Sequence, residues 1–178
     1  MGMDVTDAIE TRIELREYSD ESADDETKRA ILEAGRLAPS GKNTQHWRFV
    51  LLDRTDDLET LADNSPTGGW VADADFAIAI CTDPAYGYNE IDAGRAATHM
   101  QLVAWERGVG SCMFTVDRAA AREFLELPDE YDLTALLGFG YPDREIRGRK
   151  SREPLSDIAF GGRFGRELDL EGTGEDER

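Results

Sequence analysis

The stretch Phe76-Ala77-Ile78-Ala79-Ile80-Cys81 restricts the fold more than any other segment of the chain. It is apolar at every position. A strand with one face in water alternates apolar and polar side chains, so an unbroken run calls for a strand covered on both faces. Covering both faces of a sheet takes helices on each side. The sequence supplies them. Asp24-Asp25-Glu26 opens a helix that runs to about Leu37, with acids at its positive end and an apolar stripe of Ile31, Ala34 and Leu37. Ala38-Pro39-Ser40-Gly41 stops it. The longest helical stretch is Glu90 to Arg107. Ala93, Ala96, Ala97, Met100, Val103 and Ala104 give it a wide stripe of mostly small side chains. Such a helix admits close approach, so it is either central to the core or packed on a partner chain.

Shorter helices are expected at Val5 to Arg12, at Asp56 to Asp63, and from an Asp117 cap to about Leu127. Further strands are expected at Trp47 to Asp53, Gly110 to Val116, and Thr134 to Tyr141, where Pro142 ends the last. The irregular order of helices and strands predicts a mixed α+β domain with a sheet between helices. Residues 1–160 read as one domain. Residues 161–178, rich in glycine and acids, read as a C-terminal arm or tail.

The formal net charge is −18, from 38 acids against 20 bases. That field repels phosphate backbones and anionic membranes, which argues against nucleic acid or membrane partners. No stretch approaches the roughly 20 apolar residues of a membrane-spanning helix. The first ten residues lack the basic start of a signal peptide. Only three of the bases are lysines, Lys28, Lys42 and Lys150. Many acids with few lysines fit a protein bathed in concentrated salt, where at about 1 M the Debye length is only about 3 Å and acids barely repel one another. A halophilic protein of this kind is expected to unfold more readily at about 0.1 M than at about 1 M salt. Equal denaturation midpoints at the two concentrations would refute that reading. Cys81 and Cys112 are isolated in apolar runs, with no metal-ligand or redox spacing, and are expected to be buried free thiols in the reducing cytoplasm. With His46 and His99 the only histidines, a multi-histidine metal site is not available.

Two segments carry chemistry. Arg144, Arg147, Arg149, Lys150 and Arg152 lie close together, and Arg12 and Arg16 flank the end of the first helix. In so acidic a chain, grouped cations suit an anionic ligand such as a phosphate monoester, because guanidinium forks match phosphate geometry; a surface strip paired with acids is the alternative. The segment Ala38-Pro39-Ser40-Gly41-Lys42-Asn43-Thr44-Gln45-His46-Trp47 joins a helix to a strand and sets Ser, Asn and Gln on a turn. Such side chains can read the alternating donors and acceptors of a flavin edge, or simply make a polar loop. His46, beside Trp47 at a strand start, fits a structural role better than a donor to ligand. Trp70, Trp105 and Phe139 fit core or interface. Tyr86 and Tyr88 fit a loop better than a lid.

Four segments in order resemble the nitroreductase family of FMN proteins. Arg12-Ile13-Glu14-Leu15-Arg16-Glu17-Tyr18 matches an R-x-S-x-R/K-x-F cluster, and Ala38 to Trp47 matches A-P-S-x-x-N-x-Q-x-W in full. Asp92, Gly94 and Met100 match part of D-x-G-x-A-x-x-x-M. Gly140-Tyr141-Pro142 and Lys150-Ser151-Arg152 match a late G-Y-P with a following K-x-R. The resemblance implies a nitroreductase-like α+β fold, a central mixed but mostly antiparallel sheet flanked by helices, in an obligate homodimer with two FMN sites between its chains. It implies that Arg12, Arg16, Lys150 and Arg152 hold the FMN phosphate and ribityl chain. Pro39, Ser40, Asn43 and Gln45 would contact the ring and ribityl from the second subunit. Met113, Phe114 and Thr115 would line the flavin face or its N5 edge, and Lys42 is a candidate for the N1–C2 edge. The implied activity is ping-pong hydride transfer from NAD(P)H through flavin N5 to a nitroaromatic, quinone or similar acceptor. Reductive dehalogenation, oxygen-dependent flavin fragmentation and a non-enzymatic flavin carrier are the alternatives. No residue is assigned as a catalytic acid or base, since the flavin carries the chemistry. One position departs from the pattern: Glu14 stands where the family often has Ser, and is expected to pair with Arg12 or Arg16, or to turn away.

Overall fold

In a computed structural model of the chain, the described residues are 2–146 and 150–170. Arg147 and Arg149 of the cation group, and the end of the tail, lie outside them. The chain divides into two compact units, Met1–Arg147 and Gly148–Arg178.

The first unit is built on a four-stranded sheet of β1 (Trp47–Leu52), β2 (Phe76–Thr82), β3 (Gly110–Phe114) and β4 (Asp132–Gly140), in the order β1-β2-β4-β3. All three pairings are antiparallel. The one parallel feature among the described residues is an isolated bridge between Glu14 and Ser111. Every residue of β2 is buried. Its side chains alternate in direction with the pleat, which splits them between two cores. Phe76, Ile78 and Ile80 join Leu137 and Phe139 under the helices α2 (Asp25–Arg36) and α4 (Asn89–Glu106). Ala77, Ala79 and Cys81 join Leu133 and Leu136 on the other face, beneath α3 (Thr55–Asp63), the turn Gly69–Asp73 and α5 (Arg118–Phe124).

The helix starts follow from their caps. Asp24 accepts the Thr27 N–H at 2.8 Å at the head of α2, and Asp117 accepts the Ala120 N–H at 2.9 Å at the head of α5. Asp4 does the same for Asp7 in α1 (Val5–Thr11). Each satisfies an N–H that a helix start otherwise leaves without a partner. Gly35 lets α2 lie close on α4, for a Cβ there would collide with Met100. The alanine stripe of α4 resolves in favour of the core: Ala93, Ala96, Ala97 and Ala104 are all buried within the chain.

Boundaries moved modestly from those expected. The strand β4 starts at Asp132 rather than Thr134, and α5 stops at Phe124 rather than near Leu127. In the second unit a four-residue helix, α6 (Leu155–Ile158), follows Pro154, and a turn brings the Gly161 N–H to the Arg166 carbonyl at 2.9 Å. One turn of helix is too short to leave a periodic signature in sequence. Both cysteines are free and buried. Burial pushes the Cys81 thiol up to about 11. Trp105 is buried with its Nε1–H donated to Thr11 Oγ1 at 2.8 Å, and Phe139 is fully buried. No described helix is long and apolar enough to cross a membrane.

Candidate active site

Two constructions stand out in the first unit. The first is the turn that follows α2. Three of its side chain-bearing residues take left-handed backbone angles, Lys42 at φ 53°, Asn43 at 57° and Gln45 at 48°. Asn adopts this region readily, whereas Lys and Gln do so at a cost of about 1 kcal/mol or more each. The conformation persists because its surroundings fix it. Ser40 accepts twice, its carbonyl from the Asn43 N–H at 3.0 Å and its hydroxyl from the Gln45 N–H at 3.0 Å. The Gly41 N–H donates to Asp92 Oδ2 at 2.8 Å. Tyr88 packs flat against Gly41, where a Cβ would fall 2.6 Å from the ring. The result is a braced turn with Pro39, Lys42, Asn43 and Gln45 exposed and Ser40 half-buried.

Asp92 is the anchor of this arrangement. It lies in the first turn of α4, only 1% exposed. Besides Gly41 it faces His46 Nε2 at 3.2 Å and accepts from Arg95 Nη1 at 3.2 Å. His46 is buried, stacked on Tyr86 at 5.1 Å, and its Nδ1 has no hydrogen-bond partner among the described residues. The structural role expected for His46 is what it has here, and Tyr86 and Tyr88 form a cover over it. In the sequence, Asp92 figures only as part of the D-x-G-x-A-x-x-x-M match, with no role in the site; Glu90 shares its helix turn, so its acidity alone did not set it apart.

The second construction is the segment Arg12 to Arg16, laid beside the edge strand β3. Arg12 Nη1 and Glu14 Oε1 pair at 2.7 Å. Glu14 Oε2 accepts the Met113 N–H at 3.1 Å, and Gln101 Nε2 donates to Glu14 Oε1 at 3.4 Å. The expectation that Glu14 would turn to an arginine therefore holds, with Arg12 the partner. Burial pushes the Glu14 carboxyl up, but the Arg12 hydrogen bond and charge, Cys112 and the Met113 N–H outweigh it and leave it below its ordinary value. Arg16 Nε donates to Cys112 Sγ at 3.4 Å. Burial raises the Cys112 thiol, with Arg16 pulling it down and Glu14 pushing it up. Beside this segment lies a cleft of about 480 Å³, lined by residues 13–17 and 142–146. Its size is that of a small-ligand site. Arg16 and Arg144 face it among four acids, and Arg144 is paired with Glu17 at 2.7 Å. None of the turn's residues lines it.

The remaining candidates fall in different places. Met113 and Thr115 are exposed, on and just past the end of β3. Phe114, between them, points the other way: it is 6% exposed and packs edge-on against Trp70 at 5.4 Å. Lys150 and Arg152 belong to the second unit, where Arg152 Nη1 donates to the Ser151 carbonyl at 2.7 Å.

The sequence model of the Nitroreductase family matches residues 9–70 and 63–141. The chain belongs to the nitroreductase family. A relative from Archaeoglobus fulgidus, named "Putative NADH dehydrogenase/NAD(P)H nitroreductase", is 32% identical over 147 residues, covering 77% of this chain and 84% of that protein. The fold agrees. An FMN-dependent nitroreductase from Clostridium difficile R20291 superposes with a TM-score of 0.82 at 27% identity, over 88% of this chain and 98% of the other. A structure from Desulfovibrio desulfuricans, described as "a putative nitroreductase in complex with fmn", superposes at 0.79 with 32% identity, over 90% and 97% of the two chains. The Arg12 segment, the braced turn and Asp92 all lie within the residues that match the family, whereas Lys150 and Arg152 lie beyond them.

Proposed function

We propose that the protein is an FMN-dependent oxidoreductase of the cytoplasm that uses NAD(P)H to reduce a small organic acceptor such as a nitroaromatic or a quinone. The observation that carries this reading is the braced turn. A chain gains nothing in stability from holding Lys42 and Gln45 in left-handed backbone, yet it buries Asp92 and His46 to do so. What the turn presents is a fixed set of exposed amide groups on Asn43 and Gln45. That is the donor and acceptor set a flavin edge requires. The relatives named as FMN-dependent and FMN-bound support the same cofactor.

The donor chemistry of the chain fits FMN. Arg12 and Arg16 supply guanidinium groups to a phosphate, and in this reading Lys150 and Arg152 add to them. Pro39, Ser40, Asn43 and Gln45 orient the ring, and Met113 and Thr115 offer it an apolar and a polar contact. Since the turn does not line the cleft beside Arg16, we assign the turn to a site completed by a second copy of the chain, which makes the enzyme a homodimer. Bound FMN would supply the hydride-transfer chemistry between NAD(P)H and the acceptor. The residues bind, orient and limit access.

An absorbance spectrum tests this directly. Purified protein is expected to be yellow, to bleach with NADH or NADPH, and to recover when a nitroaromatic is added. Yellow protein that neither nicotinamide bleaches would leave a flavin carrier, and colourless protein that stays so after soaking in FMN would end the proposal. Lys150→Ala or Arg152→Ala is expected to weaken FMN retention by about 1.5–3 kcal/mol, roughly ten- to hundredfold, as for the loss of a charge-assisted contact. Unchanged flavin content in both variants would remove these two residues from the site.

A further inference from the structure

Glu14 is the feature that neither the family pattern nor the proposed cofactor explains. It places a carboxylate inside the arginine segment that, on the reading above, receives a phosphate. Its side chain is 41% exposed yet tied on three sides. One oxygen holds Arg12 at 2.7 Å and faces Gln101 at 3.4 Å, and the other accepts the Met113 N–H at 3.1 Å. Gln101 is itself 6% exposed and held by Ser111 Oγ at 3.2 Å. The backbone is tied as well, through the Glu14–Ser111 bridge and the Leu15 N–H donated to the Ser111 carbonyl at 3.0 Å. A free glutamate could swing into solvent as an anion arrives. This one must give up three partners to do so.

We infer that Glu14 is an internal counter-anion of the phosphate subsite, which occupies Arg12 in the flavin-free protein and opposes the FMN phosphate when it binds. The inference rests on the FMN reading of this segment. Two effects of Glu14 compete. By holding one nitrogen of Arg12 it orients a five-donor fork whose other nitrogens remain for a phosphate, which favours binding. By placing a negative charge on the same guanidinium it repels a dianion, which opposes binding. Repulsion wins, because a phosphate and a carboxylate sharing one arginine stand only a few ångströms apart, whereas Arg12 is only partly exposed and has little freedom to lose. The consequence is a site tuned to hold FMN more loosely than its arginines alone would, with selectivity against the phosphate rather than against the ring.

The test compares FMN with riboflavin, which carries the same ring and no phosphate. Glu14→Gln keeps an acceptor for the Met113 N–H and removes the charge; Glu14→Ser restores the residue the family pattern has. Binding is read by quenching of flavin fluorescence, with circular dichroism confirming the fold. Both variants are expected to bind FMN about tenfold more tightly than the native chain, which is about 1.4 kcal/mol, with riboflavin binding unchanged. FMN affinity that stays the same or falls in the two variants overturns the inference, since orientation would then outweigh repulsion. Equal tightening of FMN and riboflavin overturns it too, because the effect would not be on the phosphate. If neither flavin binds to the native chain or to either variant, the cofactor reading itself fails and this role falls with it.

Discussion

Asp92→Ala is expected to destabilise the protein by about 3–5 kcal/mol, the cost of removing one partner from a buried polar cluster. In a domain of this size that lowers the melting temperature by about 6–20 °C. The carboxylate is 1% exposed and serves Gly41 N–H, His46 and Arg95 together. The Arg95 contact contributes least, because that side chain is about half exposed and water can replace it. The His46 contact is buried and the Gly41 contact half-buried, so water replaces them less readily. Without Asp92 the Gly41 N–H loses its acceptor, and buried His46 loses the one hydrogen-bond partner its ring nitrogens have among the described residues. The turn from Ser40 to Gln45 then keeps only its own Ser40 bonds to hold its left-handed residues. FMN affinity is accordingly expected to fall with the melting temperature, although Asp92 is too deeply buried to meet the ligand. Differential scanning calorimetry and flavin titration check the two effects. A variant melting within about 2 °C of the native chain would show that the carboxylate does not brace the turn.

Phe139→Ala is expected to cost a similar amount, about 3–5 kcal/mol, by a different route. Phe139 is fully buried in β4 and stacks on Phe76 of β2 with ring centroids 4.9 Å apart and 7° between planes. The two residues are direct cross-strand partners, on the face covered by α2 and α4. Truncation leaves a cavity that the sheet cannot close, because both neighbours are held by the ladder. Phe139→Leu fills most of that space and is expected to cost about 1.5 kcal/mol or less. Unlike Asp92→Ala, neither change should alter FMN affinity in the folded protein, as the ring has no exposed face. Urea denaturation midpoints give the stability, and flavin titration below the transition gives the binding. A loss of flavin affinity in Phe139→Leu at unchanged stability would place this ring in the site after all.

The contrast between these two residues marks how much the sequence reveals. The apolar run from Phe76 to Cys81 announced a strand buried on both faces, and the pleat divided it between two cores as an alternating backbone must. The cap at Asp117 and the acidic helix start at Asp24 were legible because an acid at a helix start acts on N–H groups two or three residues away. The Ala38 to Trp47 turn was legible as a candidate site from its residue types. Phe114 was not. It sits in a candidate flavin-lining run, yet the pleat of β3 turns it to the core and leaves Met113 and Thr115 exposed.

The sequence by itself determined the order and kind of the main helices and strands, the candidates for binding phosphate, and the departure at Glu14, all of which depend on neighbours along the chain. Only the tertiary structure decided which of the 38 acids matter. Asp92 meets Gly41 across 51 residues, and Glu14 meets Met113 across 99. An ionisable side chain acquires its role from the charge, burial and donors around it. Those are set where distant segments close on one another, and no local pattern of residues records them.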